Sequence, residues 1–191
     1  MQRSKNNPRL HFLSLAIAAI GLAVVGLFIF GTWLETPSDD NTMDRFTGYA
    51  LASKNVNFTE NFPSGAMFIL PVVVGAMSFQ HYRRIATPER PGSRVNNALM
   101  LTLGLIVVLL WMRTYTLNVT DALNESPLVT SGEQSAYTHT DIIRDFFTVE
   151  LWLCLALSVI LLILPFLDKR PAAASIFLNP ERQGNKAGKF R

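Results

Sequence analysis

The sequence predicts an all-α fold: an integral membrane four-helix bundle with both termini in the cytoplasm and two structured extracytoplasmic loops of about thirty residues. Three observations predict it. Four apolar stretches are each near or above the roughly 17 residues that a helix needs to cross the hydrocarbon. Basic residues crowd into alternate connecting segments. Each of Trp33, Trp111 and Trp152 falls near one end of its stretch, on the same side, as an interfacial aromatic belt would place it. Charged residues are only 16% of the 191, below the roughly 25% usual in soluble domains, and 49% are hydrophobic.

The first span is read as Leu10 to Leu34. Arg3, Lys5 and Arg9 precede it as a basic flank, but its apolar run is too long for a secretory signal. "GTWLETPS" offers no small-x-small cleavage site, so an uncleaved, tilted anchor is expected. Ala16, Ala19, Ala23 and Gly26 lie along one of its faces. Small residues let helices approach closely in lipid, so this face is a candidate packing seam, within the protein or toward a partner. In the loop that follows, "TMDRFTGYALASK" puts Met43, Phe46 and Ala50 on one helical face and predicts a short surface helix.

The second span covers about Ala66 to Tyr82, and the third about Ala98 to Leu117. Pro71 removes a backbone donor and Gly75 follows one turn later, so a kink is expected there. The fourth span is read as Phe146 to Leu167, preceded by a helix start in "HTDIIRDFF" with Thr140 as cap and Asp141 at the positive end of the dipole. Ile142 and Phe146 would carry that helix straight on into the span.

The chain reads as one domain, with 168–191 a basic cytoplasmic tail. Thirteen of the 17 Lys and Arg lie in the N-terminal segment, between spans two and three, and after span four. The positive-inside rule therefore sets those segments in the cytoplasm, as expected for a plasma or inner membrane protein. The same charges explain the formal +3 without invoking nucleic acid. The single cysteine, Cys154, excludes an internal disulfide. Sequons at Asn57, Asn118 and Asn124 fall in the loops read as outside.

Catalytic motifs are sparse. There is no HExxH, no Walker loop and no GxGxxG. Ser135, His139 and Asp141 share loop two, but a triad is recognised by geometry rather than by closeness in sequence. His11 and His81 sit near the cytoplasmic ends of their spans and could approach each other, the one arrangement that would suit haem. No cofactor is predicted, and membrane lipid is the expected small-molecule contact. The claudin-type layout also has both termini inside and a large first outer loop. That family's loop carries two cysteines and a Trp…Gly-Leu-Trp pattern, and neither is present here.

Two charges remain inside the spans, Glu150 and Arg113. They have opposite sign and, counted along straight helices at about 1.5 Å per residue, similar depth. A pair pinning helix three to helix four is expected; the alternatives are an Arg113 that snorkels outward, or a polar path or partner contact. The functional expectation is a non-enzymatic accessory or structural subunit of a larger membrane complex, contacting other membrane subunits and lipid. The alternatives are a small transporter or channel component using Glu150 and Arg113, and a membrane redox or haem-binding protein.

Overall fold

The computed structural model describes residues 8–37, 42–53, 62–86, 94–132 and 135–167. The basic tail and the Asn57 sequon lie outside them. Four helices are long and apolar enough to cross a membrane. The first, α1, is Pro8–Phe30. A 310 turn at Ser64–Phe68 leads into α3, Ile69–Ala86. The third, α4, is Arg94–Asn124, and the fourth, α7, is Val149–Ile163, finished by a 310 turn at Leu164–Leu167. α1 lies between α3 and α7, while α4 packs on α3 and touches α7 over a shorter stretch. Leu22, Phe30, Leu99, Leu103, Leu153 and Ile163 are exposed on the outside of the bundle, as suits helices whose solvent is hydrocarbon rather than water.

The fold is mostly helical but not all-α. The apolar run of the first span does not continue as helix to Leu34; it stops at Phe30. Gly31 follows, its amide bonded to the Leu27 carbonyl at 3.0 Å, and the chain turns into strand β1, Thr32–Pro37. The segment expected as a surface helix is instead strand β2, Met43–Thr47, followed by a short helix α2, Gly48–Ser53. Met43 and Phe46 therefore belong to a strand, where residues three apart point to opposite faces, and share no helical face with Ala50. The two strands pair antiparallel, with Glu35 opposite Arg45 and an ion pair of 2.9 Å between them.

The register of that hairpin slips at Trp33: Thr32 faces Thr47, but Leu34 faces Phe46. The extra residue is a bulge, and a bulge re-aims a side chain. It explains how the neighbours Trp33 and Leu34 can both be fully buried, although a regular strand sends successive side chains to opposite faces. The Trp33 indole N–H donates to the Leu27 carbonyl at 3.0 Å, sharing that acceptor in the last turn of α1 with the Gly31 amide. Its ring meets Phe28 edge-on at 5.2 Å. Trp33 is thus a plug of the core and not part of an interfacial belt. Trp111 is buried too, and only Trp152 of the three is open to the surroundings. Gly48 makes room for the plug, since a Cβ there would stand 2.8 Å from the Trp33 ring.

The second loop is shorter than the hydropathy suggested, because α4 runs on to Asn124. The short helices α5, Pro127–Thr130, and α6, His139–Phe146, follow. α6 starts two residues earlier than expected. Thr138, not Thr140, is its cap, in a reciprocal capping box with Asp141. α6 does not run into the span either. At Phe147 and Thr148 the chain becomes extended and lies against the free edge of β1: Leu34 bridges to Phe147, and the Thr148 amide donates to the Trp33 carbonyl at 3.3 Å. The Thr148 hydroxyl donates to the Thr32 carbonyl. β1 is therefore held on both edges, by β2 and by the segment that opens α7.

Candidate functional site

The helix break at Phe147–Thr148 decides where Glu150 sits. On a helix running unbroken from Thr140, Glu150 would lie about a turn inside the span; in the structure it is in the first turn of α7. Thr148 is the cap residue of α7, but its side chain makes no cap hydrogen bond, being turned to β1 instead. A carboxylate at that uncapped end complements the exposed amides and the positive pole of the helix dipole. Glu150 is half-buried, with its Cβ beside Gly31 just past the end of α1; a Cβ added to Gly31 would lie 3.3 Å from it.

Arg113 is exposed on α4 and lines a groove of about 520 Å³ between α4, α6 and α7. Leu109, Met112, Ile143, Phe147 and Trp152 form most of its walls, with Thr116 and His139 supplying polar atoms. Among the described residues no ion pair joins Arg113 to Glu150. The geometry of α7 shows why. Trp152 faces the groove, and Glu150 is two residues earlier, about 200° around the helix. Arg113 lines the groove, whereas Glu150 lies on the other side of α7, beside Gly31.

The upper rim of the groove is tied by hydrogen bonds. The Thr120 hydroxyl donates to the Thr116 carbonyl at 2.7 Å and lies 3.1 Å from Nδ1 of His139. A hydroxyl has one proton, so Nδ1 of His139 is the donor toward Thr120, and Nε2 is left for other partners. Asn124 clamps the loop above: its side chain accepts from the Tyr137 amide at 2.7 Å and donates to the Tyr137 carbonyl at 3.1 Å. The amide nitrogen that a glycan would need is therefore engaged, and Asn118 lies on α4 itself rather than in a loop. Asp141 accepts from the Thr138 hydroxyl at 2.6 Å and amide at 3.0 Å, and Arg144 lies 3.6 Å away. Chiefly the Thr138 hydroxyl, then its amide, hold the Asp141 carboxyl below the usual range. Its partners are thus Thr138 and Arg144, and His139 is turned to Thr120; with Ser135 the three do not form a relay.

No family model matches this chain, and no curated protein or solved structure matches it either. The remaining sequence-predicted residues are placed as follows. Ala19 and Ala23 are exposed, and Ala16 and Gly26 are half-buried, with open space beside Gly26. The seam that α1 turns inward is offset by two residues: Ser14, Ala18 and Gly21, backed by Ile17, Val24 and Phe28. Gly21 meets Ser78 of α3 so closely that a Cβ would stand 1.8 Å from its hydroxyl oxygen. Pro71 lies in the first turn of α3, just after the 310 turn, where its missing donor matters least, and α3 continues past Gly75 to Ala86. Gly75 borders a second, smaller groove of about 290 Å³ with Ala18, Leu22, Ser78, Phe79 and Tyr82. His81 is buried on α3, and the side chain of His11 lies outside the described residues. Among the described residues no three His, Cys, Asp or Glu side chains converge. His139 and Trp152 were not singled out from the sequence as groove residues; only the break before α7 brings them beside Arg113.

Proposed function

We propose that the chain is a non-catalytic subunit of a larger membrane assembly, spanning the bilayer four times and docking to a neighbour through the outward face of α1. The observation that carries this reading is the placement of Ala16, Ala19, Ala23 and Gly26. A stripe of small residues gives little grip on lipid tails but allows a helix backbone to come close. The chain's own helices pack mainly on the other side of α1, leaving Ala19 and Ala23 exposed, and Ala16 and Gly26 only partly covered, toward a helix from elsewhere. The basic residues set both termini in the cytoplasm of a plasma or inner membrane, with the hairpin and α6 on the extracytoplasmic side.

Gentle detergent extraction, followed by identification of what co-migrates, tests the reading. A stoichiometric membrane partner is expected with the native chain. Ala19→Leu with Ala23→Leu should release it while leaving the thermal unfolding of the isolated chain unchanged, because those positions are not packed within the bundle. A partner retained by the double variant, or a chain that migrates alone, overturns the assignment.

A further inference from the structure

We infer that the groove between α4, α6 and α7 is a binding site for one phospholipid with an anionic headgroup, drawn from the leaflet on the hairpin side. The inference rests on the chain spanning a bilayer and is independent of any partner at α1.

The depth of Arg113 is the first argument. α4 has 31 residues, about 46 Å at 1.5 Å per residue, longer than the roughly 30 Å of hydrocarbon. Arg94 opens this helix, and Arg113 follows 19 residues later, about 28 Å along the axis. Two arginines so spaced match the two hydrocarbon boundaries, which sets Arg113 at the level of lipid phosphates. The top of α7 agrees: Val149 to Leu167 is 19 residues, again one hydrocarbon thickness, with Glu150 and Trp152 near its upper boundary.

Charge is the second. Among the described residues Arg113 has no carboxylate partner. The two carboxylates of the neighbouring helix α6, Asp141 and Asp145, are engaged by Arg144. Glu150 lies beside Gly31. The groove therefore presents the Arg113 guanidinium with no carboxylate among its lining residues. A guanidinium suits a phosphate in two-point contact.

Shape is the third. Below Arg113 the walls are Leu109 and Met112 on one side and Trp152 on the other, while Ile143 and Phe147 form the upper apolar surface. Phosphate at Arg113 and one acyl chain laid down between α4 and α7 satisfy both halves. A volume of about 520 Å³ lies in the range of pockets that hold small ligands. A free anion would leave the apolar walls unused, and a zwitterionic lipid would bring its own cation beside Arg113.

The purified chain is placed in nanodiscs containing equal parts phosphatidylglycerol and phosphatidylcholine. It is then extracted into mild detergent, and the lipid retained per chain is measured by native mass spectrometry. About one phosphatidylglycerol per chain is expected, enriched about fivefold over phosphatidylcholine, the effect of one basic residue at a membrane surface. Arg113→Gln should bring the ratio to parity, and Arg113→Lys should keep part of the preference. Ile143→Trp, which fills the groove, should lower the retained lipid without touching a charge. Glu150→Gln should leave the ratio unchanged. No preference in the native chain, or a preference that survives Arg113→Gln, overturns the site. Failure of the chain to enter nanodiscs at all would instead refute the membrane reading on which it rests.

Discussion

At the scale of single residues, the charge at Glu150 is explained by the start of a helix rather than by an opposite charge across the bundle. Two side chains of opposite sign at similar depth read as a pair when both helices are drawn straight. A pair needs them on facing sides as well, and the turn of α7 between Glu150 and Trp152 sets them apart. The two readings differ in a double-mutant cycle. Glu150→Gln should cost about 0.3–1 kcal/mol of thermal stability in detergent, the usual value of a carboxylate at a helix N-terminus. Adding Arg113→Gln should change stability independently, with a coupling below about 0.5 kcal/mol. Recovery of the loss in the double variant would show that the two charges meet after all. Their opposite sign was legible in the sequence; their direction was not. Direction depends on the break at Phe147–Thr148, and no Gly or Pro marks it.

At the scale of elements, the sequence was most legible where one physical signal stood alone. Hydropathy located four helices, and the cluster of Thr and Asp before Ile142 located α6. The cap was misplaced by two residues because Thr138 and Thr140 are both good caps. The three-residue spacing from Thr138 to Asp141, which makes the reciprocal box, separates them. The hairpin was illegible for a different reason. β1 contains Trp33 and Leu34, which continue the apolar run of α1, so a hydropathy count reads them as helix. Gly31 was the one local mark of the boundary. The capping box also makes α6 sensitive to acid. The Asp141 carboxyl is held below its ordinary range, mainly by the Thr138 hydroxyl. A depressed carboxyl contributes stability above its unfolded pKa and loses it as pH falls through the folded one. Hydrogen exchange at the Ile142 and Ile143 amides should therefore stay slow, relative to the intrinsic rate, at neutral pH and gain below about pH 4. Thr138→Val should show the faster relative exchange already at pH 7. Equal protection of α6 at both pH values would show that the box does not hold it.

At the scale of the whole molecule, the bundle is tight along some seams and open along others. α3 and α4 meet at Gly104, where a Cβ would lie 2.9 Å from the Leu70 Cα. Backbone there cannot yield as a side chain can. Gly104→Ala should cost about 1–3 kcal/mol, read as a lower unfolding temperature in detergent. An unchanged unfolding temperature would mean that the two helices separate freely. The contrast with Ala19→Leu, expected to be silent in the isolated chain, would map which faces close on themselves and which await something else.

The double embrace of β1 has a consequence for how the chain is made. Its second edge is completed by Thr148, 116 residues further along than Thr32. A ribosome adding about 5–20 residues per second needs on the order of 6 to 23 seconds to cover that interval. Throughout it, the newborn hairpin has one unsatisfied flank, and the Trp33 carbonyl lacks the Thr148 amide. A nascent protein in this condition is a natural client for membrane-bound chaperones and proteases. A stop codon after Asp145 should yield a product with the first three helices inserted that is nevertheless cleared rapidly in pulse-chase labelling. A stop placed after Leu167 should yield a long-lived one.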